Sequence, residues 1–298
     1  MITLERIDDL RAACDAARRE GKSVGLVPTM GSFHEGHRSL MRAARDANDF
    51  VVVSLFVNPL QFGDHEDLDG YPRDLTGDTN AAAAEGVDVL FAPSLAEMYA
   101  EPTRTTVHVE GVTEGLCGAA RPTHFDGVTT VVAKLFSIVG PCAAYFGRKD
   151  AQQIAVVRRM TADLNLPVDV VDCPIVREPD GVAMSSRNAY LTPDERGAAT
   201  VLSRALRGAV DAVTAGERDP ARIAAFVQEM VRSEPLVELE YVEARLNDDL
   251  EPVDRLDGRV LLAVAARVGD ARLIDNVTIT IAGTEVAADL GVTTQTSE

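Results

Sequence analysis

Val24-Gly25-Leu26-Val27-Pro28-Thr29-Met30-Gly31-Ser32-Phe33-His34-Glu35-Gly36-His37-Arg38-Ser39-Leu40-Met41 reads as a strand that turns into a helix. Residues 24–27 are apolar without alternation, the mark of a strand covered on both faces. From Arg38 to Ala47 the apolar residues recur at helical spacing. Two histidines therefore fall where strand passes to helix. The first N–H groups of a helix lack internal partners, and the helix dipole favours negative charge there. A phosphate is stabilised at such an end. Gly31 and Gly36 let a ligand approach the backbone closely. His34 and His37, three apart, share one face, and two imidazoles over a phosphate can stabilise charge that builds on a leaving pyrophosphate. Taken alone, His-x-x-His has a plainer reading as an incidental pair. A metal reading needs His-Glu-x-x-His with four-residue spacing, and this stretch has three. The strand and the Pro-Thr-Met-Gly before it favour a nucleotide-binding turn.

Outward from this turn, helices and strands alternate. A first helix is expected over 5–19. Phe50 to Val57 reads as a second buried strand, ending in the loop Asn58-Pro59-Leu60-Gln61-Phe62-Gly63. Ligands collect at that carboxyl edge of parallel α/β sheets. An acidic stretch over 64–78, with Tyr71-Pro72-Arg73 inside it, reads as a long surface connection. Helix follows over 78–86 and strand over 87–91. A further strand is expected at 106–109, loop over 111–125, helix over 128–139, strand over 143–146, helix over 151–164 and strand over 168–171. This alternation implies an α/β fold with a doubly wound parallel sheet. The pattern changes after Glu178-Pro179-Asp180-Gly181, a turn signal. Thr192-Pro193-Asp194-Glu195 opens a long helix to about residue 215, a second helix spans 220–233, and β-like runs cover 238–246, 259–268 and 272–281. Two domains are expected: residues 1–175 with the parallel sheet, and residues 176–298 as a smaller α+β domain. Residues 293–298 read as a frayed tail.

The 298 residues carry 29 Lys and Arg against 47 Asp and Glu, a net charge of −18. That balance argues against nucleic acid or an anionic membrane as partner. Cysteines 14, 117, 142 and 173 form no Cys-x-x-Cys pair and read as reduced thiols of a cytoplasmic protein. No secretory signal or spanning segment is visible.

Three more clusters bear chemistry. Gly147-Arg148-Lys149-Asp150-Ala151-Gln152-Gln153 stands at a second strand-to-helix turn. Lys149 can hold a phosphate as a point charge, and Asp150 can accept from a ribose hydroxyl or hold Mg²⁺. The alternative is a solvated charged helix start. Met184-Ser185-Ser186-Arg187 is either a compact anion clamp, with a guanidinium suited to phosphate oxygens, or an ordinary polar linker. The amides of Gln61 and Gln153 suit a small polar acid, or are surface glutamines. Together the clusters fit nucleotidyl transfer, in which an oxygen nucleophile attacks the α-phosphate of ATP and pyrophosphate leaves.

The segments 28–37, 56–62 (Phe-Val-Asn-Pro-x-Gln-Phe), 71–73, 124–128 (His-Phe-x-Gly-Val), 147–153 and 177–188 (Arg-Glu-x-Asp-Gly-x-Ala-Met-Ser-Ser-Arg-Asn) occur in order over nearly the whole chain. Together they resemble the pantothenate synthetase (pantoate–β-alanine ligase) family, with His34-Glu35-Gly36-His37 as the HIGH signature of its nucleotidyltransferase superfamily. The resemblance implies a Rossmann-like first domain, a second domain acting as a lid, and a cytoplasmic homodimer. It implies that ATP and (R)-pantoate form pantoyl adenylate with Mg²⁺, and that β-alanine then attacks to give pantothenate and AMP. Carried over by motif, Met30, Gly31, Ser32, Phe33, His34, Glu35, Gly36, His37, Gly147, Arg148, Lys149, Asp150, Val176, Met184, Ser185, Ser186 and Arg187 line the ATP site. Gln61 and Gln153 hold pantoate, with Gln61 also near β-alanine. His37 is the family's proton donor, with His34 beside it. Lys149, Ser185, Ser186 and Arg187 stabilise phosphate charge, and Asp78 is the candidate Mg²⁺ ligand. The chain departs from the family pattern at Arg148, where Glu is usual, and at Ala151, where Tyr is usual. Two other readings remain: a nucleotidyltransferase that keeps the nucleotide in its product, and a degenerate nucleotide-binding protein.

Overall fold

The computed structural model describes residues 1–63, 68 and 70–294. The chain forms two compact units. The first comprises residues 1–114, 118–148 and 156–173; the second comprises 115–117, 149–155 and 174–298.

In the first unit the elements run β1 (Ile2–Leu4), α1 (Ile7–Arg19), β2 (Val24–Thr29), α2 (Glu35–Ala47), β3 (Phe50–Leu55), α3 (Leu75–Ala84), β4 (Val89–Phe91), α4 (Leu95–Met98), α5 (Leu116–Ala120), α6 (His124–Val139), β5 (Cys142–Gly147), α7 (Ala151–Asp163) and β6 (Val168–Cys173). Leu116 and Cys117 of α5 and the first five residues of α7 group with the second unit. The six strands form one parallel sheet in the order β1-β4-β3-β2-β5-β6. From β2 the chain builds outward through β3 and β4, then returns to add β5 and β6 on the other side. The order reverses between β2 and β5, so their carboxyl ends flank the switch point where open α/β sheets take ligands. Residues 24–27 and 51–53 are all buried, as unalternated apolar strands require. Leu40, Met41 and Ala44 of α2 pack with Val27, Val51 and Val53.

Several expectations change. Residues 106–109 are not a strand. The Val107 N–H donates to Thr130 Oγ1 at 3.0 Å and its carbonyl accepts from Thr129 Oγ1 at 2.5 Å, so side chains of α6 replace a sheet ladder. The expected loop over 111–125 contains α5, and α6 begins at His124. The helix expected at 78 begins at Leu75, capped by Asp74. Tyr71 is buried rather than on a surface connection. Residues 64–67 and 69 of that connection lie outside the described residues.

The second unit adds β7 (Val176–Arg177), α8 (Pro193–Thr214), α9 (Pro220–Arg232), β8 (Val237–Leu246), β9 (Gly258–Val268), β10 (Ala271–Ala282), β11 (Glu285–Asp289) and β12 (Val292–Thr293). Strands β11-β10-β9-β8 form an antiparallel sheet. Its apolar face packs on α8 and α9 around Leu202, Leu206, Val227, Val264 and Val277. Thr192 and Glu195 close the expected capping box of α8. The start of the expected tail is ordered: Val292 and Thr293 pair in parallel with Val176 and Arg177, and the Thr294 N–H donates to the Arg177 carbonyl at 2.9 Å. Residues 295–298 lie outside the described residues. Among the described residues no helix is long and apolar enough to cross a membrane. None of the four cysteines is in a disulfide, and burial pushes the thiols of Cys14 and Cys173 up to about 11.

Candidate active site

Three segments of the first unit stand at the carboxyl ends of neighbouring strands: 30–34 after β2, 56–62 after β3, and Gly147-Arg148 where β5 ends. The first is shaped by its backbone. Gly31 has φ +87° and Ser32 φ +55°, a left-handed pair that favours glycine at the first position. A Cβ on Gly31 would stand 2.8 Å from Asp78 Oδ2. Asp78, buried on α3, accepts the Ser32 N–H on Oδ2 at 2.8 Å and the Phe33 N–H on Oδ1 at 2.7 Å. Burial raises its carboxyl above the usual range, partly offset by these two N–H groups.

α2 begins one residue after His34, earlier than the expected start at Arg38, and this gives the histidines distinct places. His34 is the N-cap and its Nδ1 accepts the Gly36 N–H at 3.1 Å; His37 Nδ1 accepts the His34 N–H at 3.4 Å. The ring centroids are 4.1 Å apart. A ring nitrogen that accepts an N–H carries no proton, so each neutral imidazole holds its proton on Nε2. The pair thus caps the helix and presents two Nε2–H donors at its positive end. Glu35 is engaged differently, by Arg42, which also pairs with Glu85.

Gln61 ends a 3-10 turn, is buried, and its Oε1 accepts from Asn58 Nδ2 at 3.0 Å. Asn58 Nδ2 also donates to the Gly127 carbonyl at 3.0 Å, and its Oδ1 accepts the Tyr99 hydroxyl at 2.8 Å. The Gln61 carbonyl accepts from Arg121 Nη2 at 3.0 Å and lies 2.9 Å from His124 Nδ1. A Cβ on Gly127 would stand 2.2 Å from the Leu60 carbonyl oxygen, so glycine lets α6 press against this turn. Asn58, Tyr99, Arg121 and His124 thus hold Gln61. Asn58 and His124 lie inside quoted motifs without an assigned role; Tyr99 and Arg121 lie outside those motifs.

Arg148 turns toward β6. Its Nε is 3.8 Å from Asp172 Oδ2, while Arg158 Nη2 is 2.5 Å from Asp172 Oδ1. Burial works to raise the Asp172 carboxyl, but the two guanidiniums outweigh it and hold the group below the usual range.

In the second unit, Lys149 and Ser185 line one small cavity together with Asp275. Lys149 Nζ is 3.7 Å from Asp150 Oδ1. Residues 176–184 fold back on themselves: the Glu178 N–H donates to the Val182 carbonyl and the Met184 N–H to the Val176 carbonyl, each at 2.9 Å. Val176 is buried. Ser185 caps the 3-10 turn Ser186–Tyr190, its Oγ accepting the Arg187 N–H at 3.3 Å. The paired glutamines separate. Gln152 is buried and clamps residues 115–117, accepting the Cys117 N–H and donating to the Gly115 carbonyl, both at 2.9 Å. Gln153 is half-buried on α7. Among the described residues no group of three or more His, Cys, Asp or Glu is placed to hold a metal ion.

A sequence model described as pantoate-beta-alanine ligase matches residues 2–278. The chain belongs to the pantoate–β-alanine ligase family. It is 57% identical over 281 residues to the pantothenate synthetase of Heliobacterium modesticaldum, covering 94% of this chain and 100% of that protein. It is 52% identical over 281 residues to the Acetivibrio thermocellus pantothenate synthetase, with 94% and 100% covered. The crystal structure of pantoate-β-alanine (pantothenate synthetase) from Thermus thermophilus superposes with TM-score 0.88 at 47% identity, over 93% of this chain and 98% of that one. The Francisella tularensis pantoate-β-alanine ligase, solved in complex with β-γ ATP and β-alanine, superposes with TM-score 0.76 at 31% identity, over 93% and 97%. Within this ligase family the fold accounts for Arg148: Asp172 receives its charge.

Proposed function

We propose that the chain condenses (R)-pantoate with β-alanine at the expense of ATP, giving pantothenate, AMP and pyrophosphate. The observation that carries this reading is the pair His34 and His37, locked by main-chain N–H groups as Nε2–H donors at the start of α2, within a chain matched to the ligase family along most of its length. In the first step a pantoate carboxylate oxygen bonds to the α-phosphorus of ATP, and the bond to the bridging oxygen breaks with its electron pair leaving on pyrophosphate. Donors aimed at that developing charge lower the barrier, by about 3–4 kcal/mol for one well-placed group. From the first unit the reading takes 30–37, with His37, the family's assigned proton donor, giving a hydrogen bond from Nε2–H to the leaving phosphate oxygen, and the backbone of Gly147-Arg148. From the second it takes Lys149, Asp150, Val176, Met184, Ser185, Ser186 and Arg187. Gln61 and Gln153 hold pantoate. In the second step the uncharged β-alanine amine attacks the acyl carbon, the C–N bond forms, AMP departs with the C–O electron pair, and the amine loses a proton. Holding amine and acyl carbon together supplies much of this step.

Mg²⁺ enters this reading on the triphosphate, as part of the MgATP substrate. Asp78, the candidate Mg²⁺ ligand, accepts one main-chain N–H on each oxygen, and the reading gives it the further part of anchoring the 30–34 loop. The cytoplasmic homodimer rests on the family resemblance, and light scattering tests the dimer.

The deciding experiment is pyrophosphate release from MgATP and (R)-pantoate, with and without β-alanine, in wild type and His37→Ala. The expected result is about one equivalent without β-alanine, as one active site traps one adenylate, steady turnover with AMP when β-alanine is added, and a roughly 10²–10³-fold loss in the variant. No pantoate-dependent pyrophosphate would overturn the reading.

A further inference from the structure

Strand β10 carries two kinds of chemistry on its two faces. Leu273, Val277, Ile279 and Ile281 belong to the apolar core, and by the two-residue period of a strand Asp275 shares their face. Its side chain is 3% exposed and is met by Arg177, 1% exposed. Arg177 Nη1 donates to Oδ2 at 2.7 Å and Nη2 to Oδ1 at 2.9 Å. A charge in such a place persists only when paired and hydrogen-bonded. Arg177 also donates from Nη1 to the Gly181 carbonyl at 3.1 Å and from Nε to the Leu290 carbonyl at 2.5 Å.

Asn276, the next residue, points the other way. Its N–H donates to Asp275 Oδ1 at 2.8 Å, and its Nδ2 donates to the Lys149 carbonyl at 2.9 Å. Asn276 is 4% exposed, so water does not readily replace it. Lys149 lies in the three-residue 3-10 turn Arg148–Asp150, a conformation with poor internal hydrogen bonds. Its ammonium rides on a flexible four-carbon stem, so where that charge can reach is set by where its main chain is held. The same Arg177 belongs to the 176–184 fold-back that leads into Ser185. One buried ion pair therefore reaches Lys149 through Asn276 and the 184–187 loop through the Arg177 main chain.

We propose that Asn276 is a positioning residue that aims Lys149 at the ATP phosphates, braced from beneath by Asp275 and Arg177. The proposal rests on the assignment of Lys149 to phosphate in the reading above. Its test uses Asn276→Ala and Asn276→Asp, each alone and combined with Lys149→Ala, with ATP affinity measured by calorimetry and pantoate-dependent pyrophosphate exchange measured as a rate. Losing one neutral hydrogen bond should weaken ATP binding roughly fivefold and slow exchange by up to about 100-fold. Asn276→Asp keeps the shape and loses the donor, so it should do no better than alanine. In the Lys149→Ala background, Asn276→Ala should change ATP affinity by less than about twofold, because coupled residues are not additive. Wild-type affinity in Asn276→Asp, or an equal loss with and without Lys149, would overturn the proposal. Should Asn276→Ala fail to fold, Asn276→Ser, whose hydroxyl falls short of the Lys149 carbonyl, carries the same comparison. A wild type that binds ATP without pantoate-dependent exchange would sink the ligase reading alone, and the affinity comparison would still decide the role of Asn276.

Discussion

The 30–37 turn and the 184–187 loop are both proposed to meet phosphate; a buried aspartate from a distant part of the same unit holds the first directly and, through Arg177, the fold-back that leads into the second. The means differ. Among the described residues Asp78 takes two main-chain N–H groups and no cation, whereas Asp275 takes a bidentate arginine and one N–H. The first arrangement leaves desolvation as the larger influence on the carboxyl. The second buries a full charge pair in an apolar core. The comparison teaches that a loop can be braced either by backbone dipoles or by an ion pair, and that the two braces fail differently.

The largest expected effect comes from breaking the ion pair. Arg177→Met leaves Asp275 buried and unpaired, and urea unfolding should show a loss of about 3–5 kcal/mol; replacing both partners by apolar residues, Arg177→Met with Asp275→Leu, should restore most of it. If the double variant is as weak as the single one, the pair is more than a charge match. Asp78→Ala strips two part-buried N–H groups of their acceptor and should cost roughly 2–4 kcal/mol, with weaker ATP binding in calorimetry because the turn loses its anchor. Gly31→Ala forces a side chain into a left-handed conformation and against Asp78, for about 1–3 kcal/mol by the same unfolding measurement.

The smallest effect is in pH dependence, and it separates two carboxylates, one in each unit, by sign. The Asp78 carboxyl is raised, chiefly by burial. Between its unfolded and folded values the folded state binds more protons, so its contribution to stability is present at low pH and lost as pH rises through the folded value. On the 176–184 fold-back, burial works to raise Asp180, but the hydrogen bonds from Arg196 and the Val182 N–H outweigh it and lower the carboxyl. Its contribution is present above the usual carboxylate range and lost as pH falls through the folded value. Urea midpoints of Asp78→Asn and Asp180→Asn across mildly acidic pH should therefore depart from wild type with opposite slopes. Equal slopes would contradict the contrast between the two environments.

Much of the fold was legible because its signals are local. The apolar runs at 24–27 and 50–55, the cap at Thr192 and the histidine turn each declare themselves within a few residues. The strand Ile2–Leu4 was not legible, because three residues become a strand only by pairing with Val89–Phe91. Residues 106–109 have strand composition, yet the Val107 main chain bonds to Thr129 and Thr130 of α6 and the Val109 carbonyl accepts from the Thr113 hydroxyl. Of the adjacent glutamines, nothing in the chain's order marks Gln152 as the clamp on residues 115–117; only the rotation of α7 separates it from Gln153.

By itself the sequence determined the α/β architecture, the α+β character of the second unit, the family and the residues assigned to chemistry, since periodicity, caps and ordered motifs are written along the chain. Tertiary structure alone decided how those residues are held: Asp78 on the Ser32 and Phe33 N–H groups, Asn58 on Gln61, Arg148 beside Asp172, and Asn276 on Lys149. The physical reason is that a buried polar group must find a partner, and which partner it finds depends on segments brought together from 46 residues away for Asp78 and Ser32 and from 127 for Asn276 and Lys149.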